Sequence, residues 1–243
     1  MLHHINPDNL IVIDIETVPM VSSTKELSKE MFELYLEKSK RLVEPDENDE
    51  QKFFNHAGIY AEFGKVVCIS VGVFTRDKKE KKLKFRVKSF AGTEEKKLLE
   101  DFFQLLNKHY KDDKKFLFAG HNIREFDVPY LCRRGLINGI KLPALLNISG
   151  KKPYEVNYVD TMQLWRFGDY KHYTSLKLLC EIFKIPTSKD DISGKDVGRV
   201  FWKEKNIERI SVYCKKDVLA VAQLIRRFRG EELLTDDEIV FVN

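Results

Sequence analysis

The chain has 243 residues, of which 43% are hydrophobic and 33% charged, with a formal net charge of +4. These values exclude a disordered or fibrous chain and describe an ordinary folded protein, long enough to bury a full core. The mild basic excess permits an anionic partner without demanding one.

The first predicted element is a strand that starts at Leu10 and ends near Thr17. Its run Leu10-Ile11-Val12-Ile13 is apolar without a break, as in a strand covered on both faces. Side chains alternate along a strand, so Asp14 and Glu16 point to one side. Two ionised carboxylates ~6 Å apart repel by about 3 kcal/mol at an effective dielectric of ~20. Protonation, a basic partner or a bound cation must offset that repulsion. Two polar residues at a solvated strand exit are the plainer alternative.

Lys25 to Val43 has helical spacing, and Glu44 to Gln51, which holds Pro45, reads as a loop. Together they suggest an insertion at about residues 20–58, between the first two strands. Phe63 to Phe74 is the second strand and Leu83 to Phe90 the third, joined by a lysine-rich turn at residues 78–84. That order predicts an antiparallel hairpin. Thr93 is placed to cap a helix with an apolar stripe of Leu98, Leu99, Phe102, Leu105 and Leu106. Phe116 to Ala119 reads as a short buried strand, Val128 to Leu136 as a helix, and Val156 to Val159 as a strand before Asp160.

Leu176 to Phe183 follows as a helix capped by Thr174 or Ser175. Asn206 opens a long final helix through Arg229, closed by Gly230. The layout is mixed α/β with an antiparallel start, in one domain spanning residues 1–243. The four cysteines (Cys68, Cys132, Cys180, Cys214) form no Cys-x-x-Cys pair, which points to reduced core thiols rather than a zinc site. There is no signal-peptide pattern and no membrane-length apolar run, so a cytoplasmic location is expected.

Two more acids sit in apolar surroundings. Asp127 follows the strand at Phe116 to Ala119 and precedes Val128-Pro129-Tyr130-Leu131. It suits a helix N-cap or a metal ligand, and the two roles are compatible. Asp217 shares a face of the last helix with Tyr213, four residues earlier, and with Ile210, Val221 and Leu224. An inward acid needs a partner: a Tyr–Asp hydrogen bond, a distant arginine, or a cation. Four hard oxygen donors suit Mg²⁺ or Mn²⁺, and a pair of such ions about 4 Å apart supports phosphodiester cleavage.

Three segments then carry a family resemblance. Asp14-Ile15-Glu16, Asn122-Ile123-Arg124-Glu125-Phe126-Asp127 and Tyr213-Cys214-Lys215-Lys216-Asp217 resemble, in order, the three motifs of DnaQ-like, ribonuclease H-like 3′–5′ exonucleases. The third motif is of the tyrosine (DEDDy) subclass, and the likeness is to the proofreading exonuclease domain of family B DNA polymerases. The resemblance implies a ribonuclease H-like mixed sheet, antiparallel in its first strands and then parallel, flanked by helices. It implies two divalent cations, Mg²⁺ or Mn²⁺, held by Asp14, Glu16, Asp127 and Asp217. Tyr213 would orient the attacking water, Thr17 and Asn122 would contact the terminal nucleotide, and Asp160 would be structural or an outer partner of the metal ligands.

No polymerase segment follows the third motif, so the expectation is a stand-alone exonuclease acting on a single-stranded 3′ end, with DNA favoured over RNA. A non-catalytic nucleic-acid-binding module on the same fold is the alternative, and another metal-dependent phosphoesterase or endonuclease is a third. Phe53, Phe54, Tyr60 and Phe63 are candidates for base stacking, against core packing as their other fate.

Overall fold

The computed structural model describes residues 2–42, 47–77, 82–152, 155–156, 158–169, 173–186 and 192–242. Among them the β-branched runs form six strands: β1 (Leu10–Pro19), β2 (Gly64–Arg76), β3 (Leu83–Ala91), β4 (Leu117–Gly120), β5 (Val159–Asp160) and β6 (Ile239–Val242). They make one sheet in the order β5-β4-β1-β2-β3-β6. β1, β2 and β3 are antiparallel neighbours, β4 and β5 run parallel to β1, and β6 runs parallel to β3. The helices are α1 (Lys29–Ser39), α2 (Asp49–His56), α3 (Glu95–His109), α4 (Asp127–Ile137), α5 (Thr161–Arg166), α6 (Leu176–Ile182), α7 (Val197–Arg199) and α8 (Ile207–Phe228). The α/β layout expected from the sequence is the one observed.

Period-two alternation divides β1 between two cores. Ile11, Ile13 and Ile15 pack with Leu99 and Phe102 of α3 and with Val128 and Leu131 of α4. Leu10 and Val12 face the other way, onto Val218, Val221 and Leu224 of α8. Full burial of each such side chain contributes about 1.5–3 kcal/mol. Asp14 and Glu16 continue the Leu10–Val12 row, so strand geometry aims both acids at the side where α8 lies. α8 itself is well delimited. Asn206 accepts from Arg209 N at 3.1 Å at its start, and Gly230, at φ +72°, follows its end.

The approach of α8 to the sheet depends on Gly72, which pairs with Val12. A Cβ there would lie 2.2 Å from Phe85 Cζ and 2.7 Å from Val218 Cγ1. Gly72→Ala is therefore expected to destabilise the fold by about 1–3 kcal/mol through overpacking. A urea midpoint equal to the wild type's would refute this.

Several sequence expectations need correction. Asp49 to Gln51 are not loop: Asn48 accepts from Gln51 N at 2.9 Å and opens α2. Residues 43–46, inside the expected helix end and loop, lie outside the described residues, as do 78–81 of the lysine-rich turn. Thr93 does not cap α3, which begins at Glu95 after Glu94. β1 runs on to Pro19, because the ladder with β2 shifts register between Glu16 and Thr17 and then continues. The strand expected at Val156 to Val159 is confined to Val159–Asp160. β6, α5 and α7 were not anticipated. In the 20–58 segment, Tyr35, Phe53, Ala57 and Phe63 form a small core of their own. Phe53 and Phe63 are thus core residues, and Tyr60 packs against that core.

Candidate active site

Three elements converge. β1 brings Asp14 and Glu16, the first residue of α4 is Asp127, and α8 brings Tyr213 and Asp217. Asp127 is buried, and its Oδ1 accepts from Ile15 N at 3.0 Å. That bond ties α4 to the strand between the two other acids. It also corrects the N-cap reading: Asp127 lies inside the helix, the cap position is Phe126, and no side chain caps that end.

The carboxylates act on one another. The pKa of Asp14 is raised well above the ordinary value by burial first, then by the charges of Asp217 and Asp127. Glu16, 7% exposed, is raised by burial, then by Asp14 and Asp217. Asp127 is raised to about 7, with burial as the largest cause and backbone hydrogen bonds opposing it. Burial and the charges of Asp217, Glu16 and Asp14 push the Tyr213 phenol upward, and a hydrogen bond with Asp217 adds to the shift. Asp14, Glu16 and Asp127 are each held away from ionisation by burial and by neighbouring carboxylates, a strain that a divalent cation among them would relieve.

One contributor was not anticipated. Cys214 was read as a core thiol, yet its Sγ lies 3.3 Å from both the backbone oxygen and Oδ2 of Asp14. Ligand atoms of Asp14, Glu16 and Cys214 lie within 4.8 Å of one another. Carboxylate oxygens dominate the donor set, so it fits a hard divalent cation.

The other expected site residues hold different positions. Thr17 lines a cavity of about 230 Å³ beside Glu16. Its hydroxyl donates to Gly58 O at 2.8 Å. Asn122 does not line that cavity. Its backbone is left-handed, at φ +67°. Its N–H donates to Asp160 Oδ1 at 3.0 Å. Asp160 also accepts from Arg124 N at 3.1 Å and Met162 N at 3.0 Å. Asp160 therefore braces the turn that leads to Asp127 and caps α5, as its structural reading required.

Residues 59–232 match the family described as "Predicted 3'-5' exonuclease related to the exonuclease domain of PolB". The chain belongs to this family. The exonuclease-family match includes Asp127, Tyr213 and Asp217 but begins after β1, so the fold rather than the match joins Asp14 and Glu16 to the other three. Among solved structures, the family B DNA polymerase from the hyperthermophilic archaeon Pyrobaculum calidifontis is similar, with a TM-score of 0.54 at 16% identity. The similarity covers 92% of this chain and 25% of the polymerase chain. The fold is thus that of a family B polymerase exonuclease domain, and the chain spans about a quarter of that polymerase's length. No protein of curated function matches the sequence. Among the described residues, no helix is long and apolar enough to cross a membrane.

Proposed function

We propose that this exonuclease-family chain hydrolyses phosphodiester bonds at the 3′ end of single-stranded nucleic acid, with DNA favoured over RNA. Asp14, Glu16, Asp127 and Asp217 would hold two divalent cations, Mg²⁺ or Mn²⁺. The observation that carries this reading is the meeting of four mutually repelling carboxylates from three chain regions, Glu16 and Asp127 buried and Asp14 and Asp217 half-buried. Bound there, the cations supply activation of water and stabilisation of the leaving oxygen.

The protein's own part is positioning. The bond from Ile15 N fixes Asp127, and strand alternation holds Asp14 and Glu16 on one face. Tyr213 keeps its proton, because its pKa moves further above neutrality, so the phenol serves as a hydrogen-bonding group that orients water rather than as a base. Its link to Asp217 makes it an outer partner of a proposed ligand. Tyr213→Phe is expected to lower the rate about 10- to 100-fold. The alkaline side of the pH profile should stay unchanged, and a lost alkaline limb in the variant would contradict this role.

The test of the whole reading is a 5′-labelled single strand incubated with Mn²⁺ or with chelator. A ladder shortened from the 3′ end only with metal is expected, and a circular single strand should survive. Intact linear strands under every metal condition would reject the proposal.

A further inference from the structure

A second cavity, of about 530 Å³, opens beside the first residues of two parallel strands, Leu117 of β4 and Val159 of β5. Leu117 pairs with Leu10, four residues before Asp14 on β1. At ~3.3 Å per residue, that register sets Leu117 about 13 Å back along the sheet from Asp14. Asp14, Glu16, Asp127, Tyr213 and Asp217 are not among the residues that line this space. It is therefore separate from the acid site.

Its lining combines charge with apolar surface. Lys114, Lys115 and Arg124 bring three cations, and His4 adds an imidazole. Leu2, Ile5, Leu117 and Leu164 bring aliphatic groups, and Tyr158 a half-buried ring. The acids nearest to these cations in sequence are engaged elsewhere. Asp112 accepts from Lys114 N at 3.0 Å and Lys115 N at 3.2 Å, and Asp113 lies 3.8 Å from Lys151 Nζ. Glu125 lies 3.5 Å from Arg166 Nη1 and accepts from the Tyr173 hydroxyl at 2.9 Å. The frame is held in place. Arg229 Nη1 donates to Leu2 O at 2.6 Å and Ile5 O at 2.9 Å, which fixes the N-terminal stretch. Arg124 Nη2 donates to Val156 O at 2.6 Å, and the Tyr158 ring meets Phe118 edge-on with centroids 5.9 Å apart.

We infer that this cavity binds a free nucleoside phosphate, with its phosphates paired to Lys114, Lys115 and Arg124 and its nucleoside covered by the aliphatic groups and Tyr158. The volume falls within the ~300–1,000 Å³ of small-molecule sites, which are mostly apolar with a few polar groups that fix orientation. Several cations beside an apolar and aromatic lining match a ligand that is anionic at one end and flat and apolar at the other. Guanidinium and ammonium groups form charge-assisted hydrogen bonds with phosphate oxygens. The site does not depend on the exonuclease reading, because it shares none of the proposed cation ligands.

The test is isothermal titration of the full chain with ADP at low salt, in chelator so that no metal-bound nucleotide forms at the acids. One ADP per chain is expected. Inorganic phosphate alone and adenosine alone should each bind at least about tenfold more weakly, since each offers half of the complementary parts. The double variant Lys114→Gln with Lys115→Gln should weaken ADP binding by about tenfold or more. Both lysines are exposed, so its melting temperature without ligand should match the wild type's. Added salt should weaken ADP binding to the wild type more than to the double variant. An oligothymidylate should not displace ADP.

Absence of ADP binding would overturn the inference, and so would equal affinity of the wild type and the double lysine variant. Inorganic phosphate that binds as tightly as ADP would reduce the site to a bare anion patch and reject the nucleoside phosphate. Displacement of ADP by the oligothymidylate would put the nucleotide in the path of a strand rather than in a separate cavity, and would reject it too. Strand shortening by the double variant should equal that of the wild type, so a failed ADP titration leaves the nuclease reading standing, and a failed cleavage assay leaves the ADP result standing.

Discussion

Asp14→Asn is expected to reduce strand shortening on the order of 1,000-fold and, in the same protein, to raise the melting temperature measured in chelator. On the proposed function the first effect follows from loss of a cation ligand, since several kcal/mol of charge stabilisation convert to about tenfold in rate per 1.4 kcal/mol. The second follows from what the acid does when no cation is present. Burial and the charges of Asp217 and Asp127 oppose its ionisation. Glu16 is opposed in the same way, with Asp14 its largest charged neighbour. An amide in place of Asp14 removes one charge and relieves the others.

The pH dependence has a definite sign. Burial raises the folded pKa of Asp127 to about 7, against an ordinary value of 3.8. Between those values the folded state keeps a proton that the unfolded chain releases, so stability falls as pH rises through that window. Above the window the cost is fully present, on the order of 4 kcal/mol. Asp14 and Glu16 move in the same direction and add to it. Mg²⁺ should therefore raise the wild-type melting temperature more at about pH 8 than at about pH 5. Asp14→Asn should shrink both the Mg²⁺ shift and the pH dependence. A wild type whose melting temperature ignores both Mg²⁺ and pH would sink the cation-site reading.

The sequence revealed the acids because each one breaks a local pattern. Asp14 and Glu16 interrupt an apolar run, and Asp217 occupies an inward face of a strongly amphipathic helix. The same periodicity revealed β1, β2, β3, α3 and α8, which bury whole faces. What was not legible depends on distant partners. β6 has only four residues and exists because β3 offers an edge. α2 depends on Asn48 and on Phe53 reaching Tyr35, with ring centroids 5.0 Å apart. The contact of Cys214 with Asp14 spans 200 residues, and nothing in the local pattern distinguishes that thiol from a core one. Glu95 was passed over because, at the first turn of α3, an acid looks like an ordinary helix-dipole residue.

That glutamate carries the largest expected stability effect. Glu95 and Arg134 are 8% and 6% exposed. Arg134 Nε donates to Glu95 Oε1 at 2.9 Å and Nη2 to Oε2 at 2.5 Å, a two-pronged pair. The remaining capacity is also used. Glu95 Oε1 accepts from Val66 N at 2.7 Å, Oε2 accepts from Asn138 at 3.0 Å, and Arg134 Nη1 donates to Ala61 O at 2.9 Å. The network fastens α3, α4, the start of β2 and the segment before it, and α4 begins with Asp127.

Removing one partner leaves a buried charge uncompensated, so Arg134→Ala or Glu95→Ala should each cost about 3–5 kcal/mol in urea unfolding. The double variant Glu95→Leu with Arg134→Met should cost much less than the two single losses together, because it removes both charges and keeps the volume. In the charged singles, Asp127 should lose its register with Ile15 N, and strand shortening should fall along with stability. Additive losses in the double variant would mean that the two residues act separately, and the pair would then not be the clamp that holds α4 against β1.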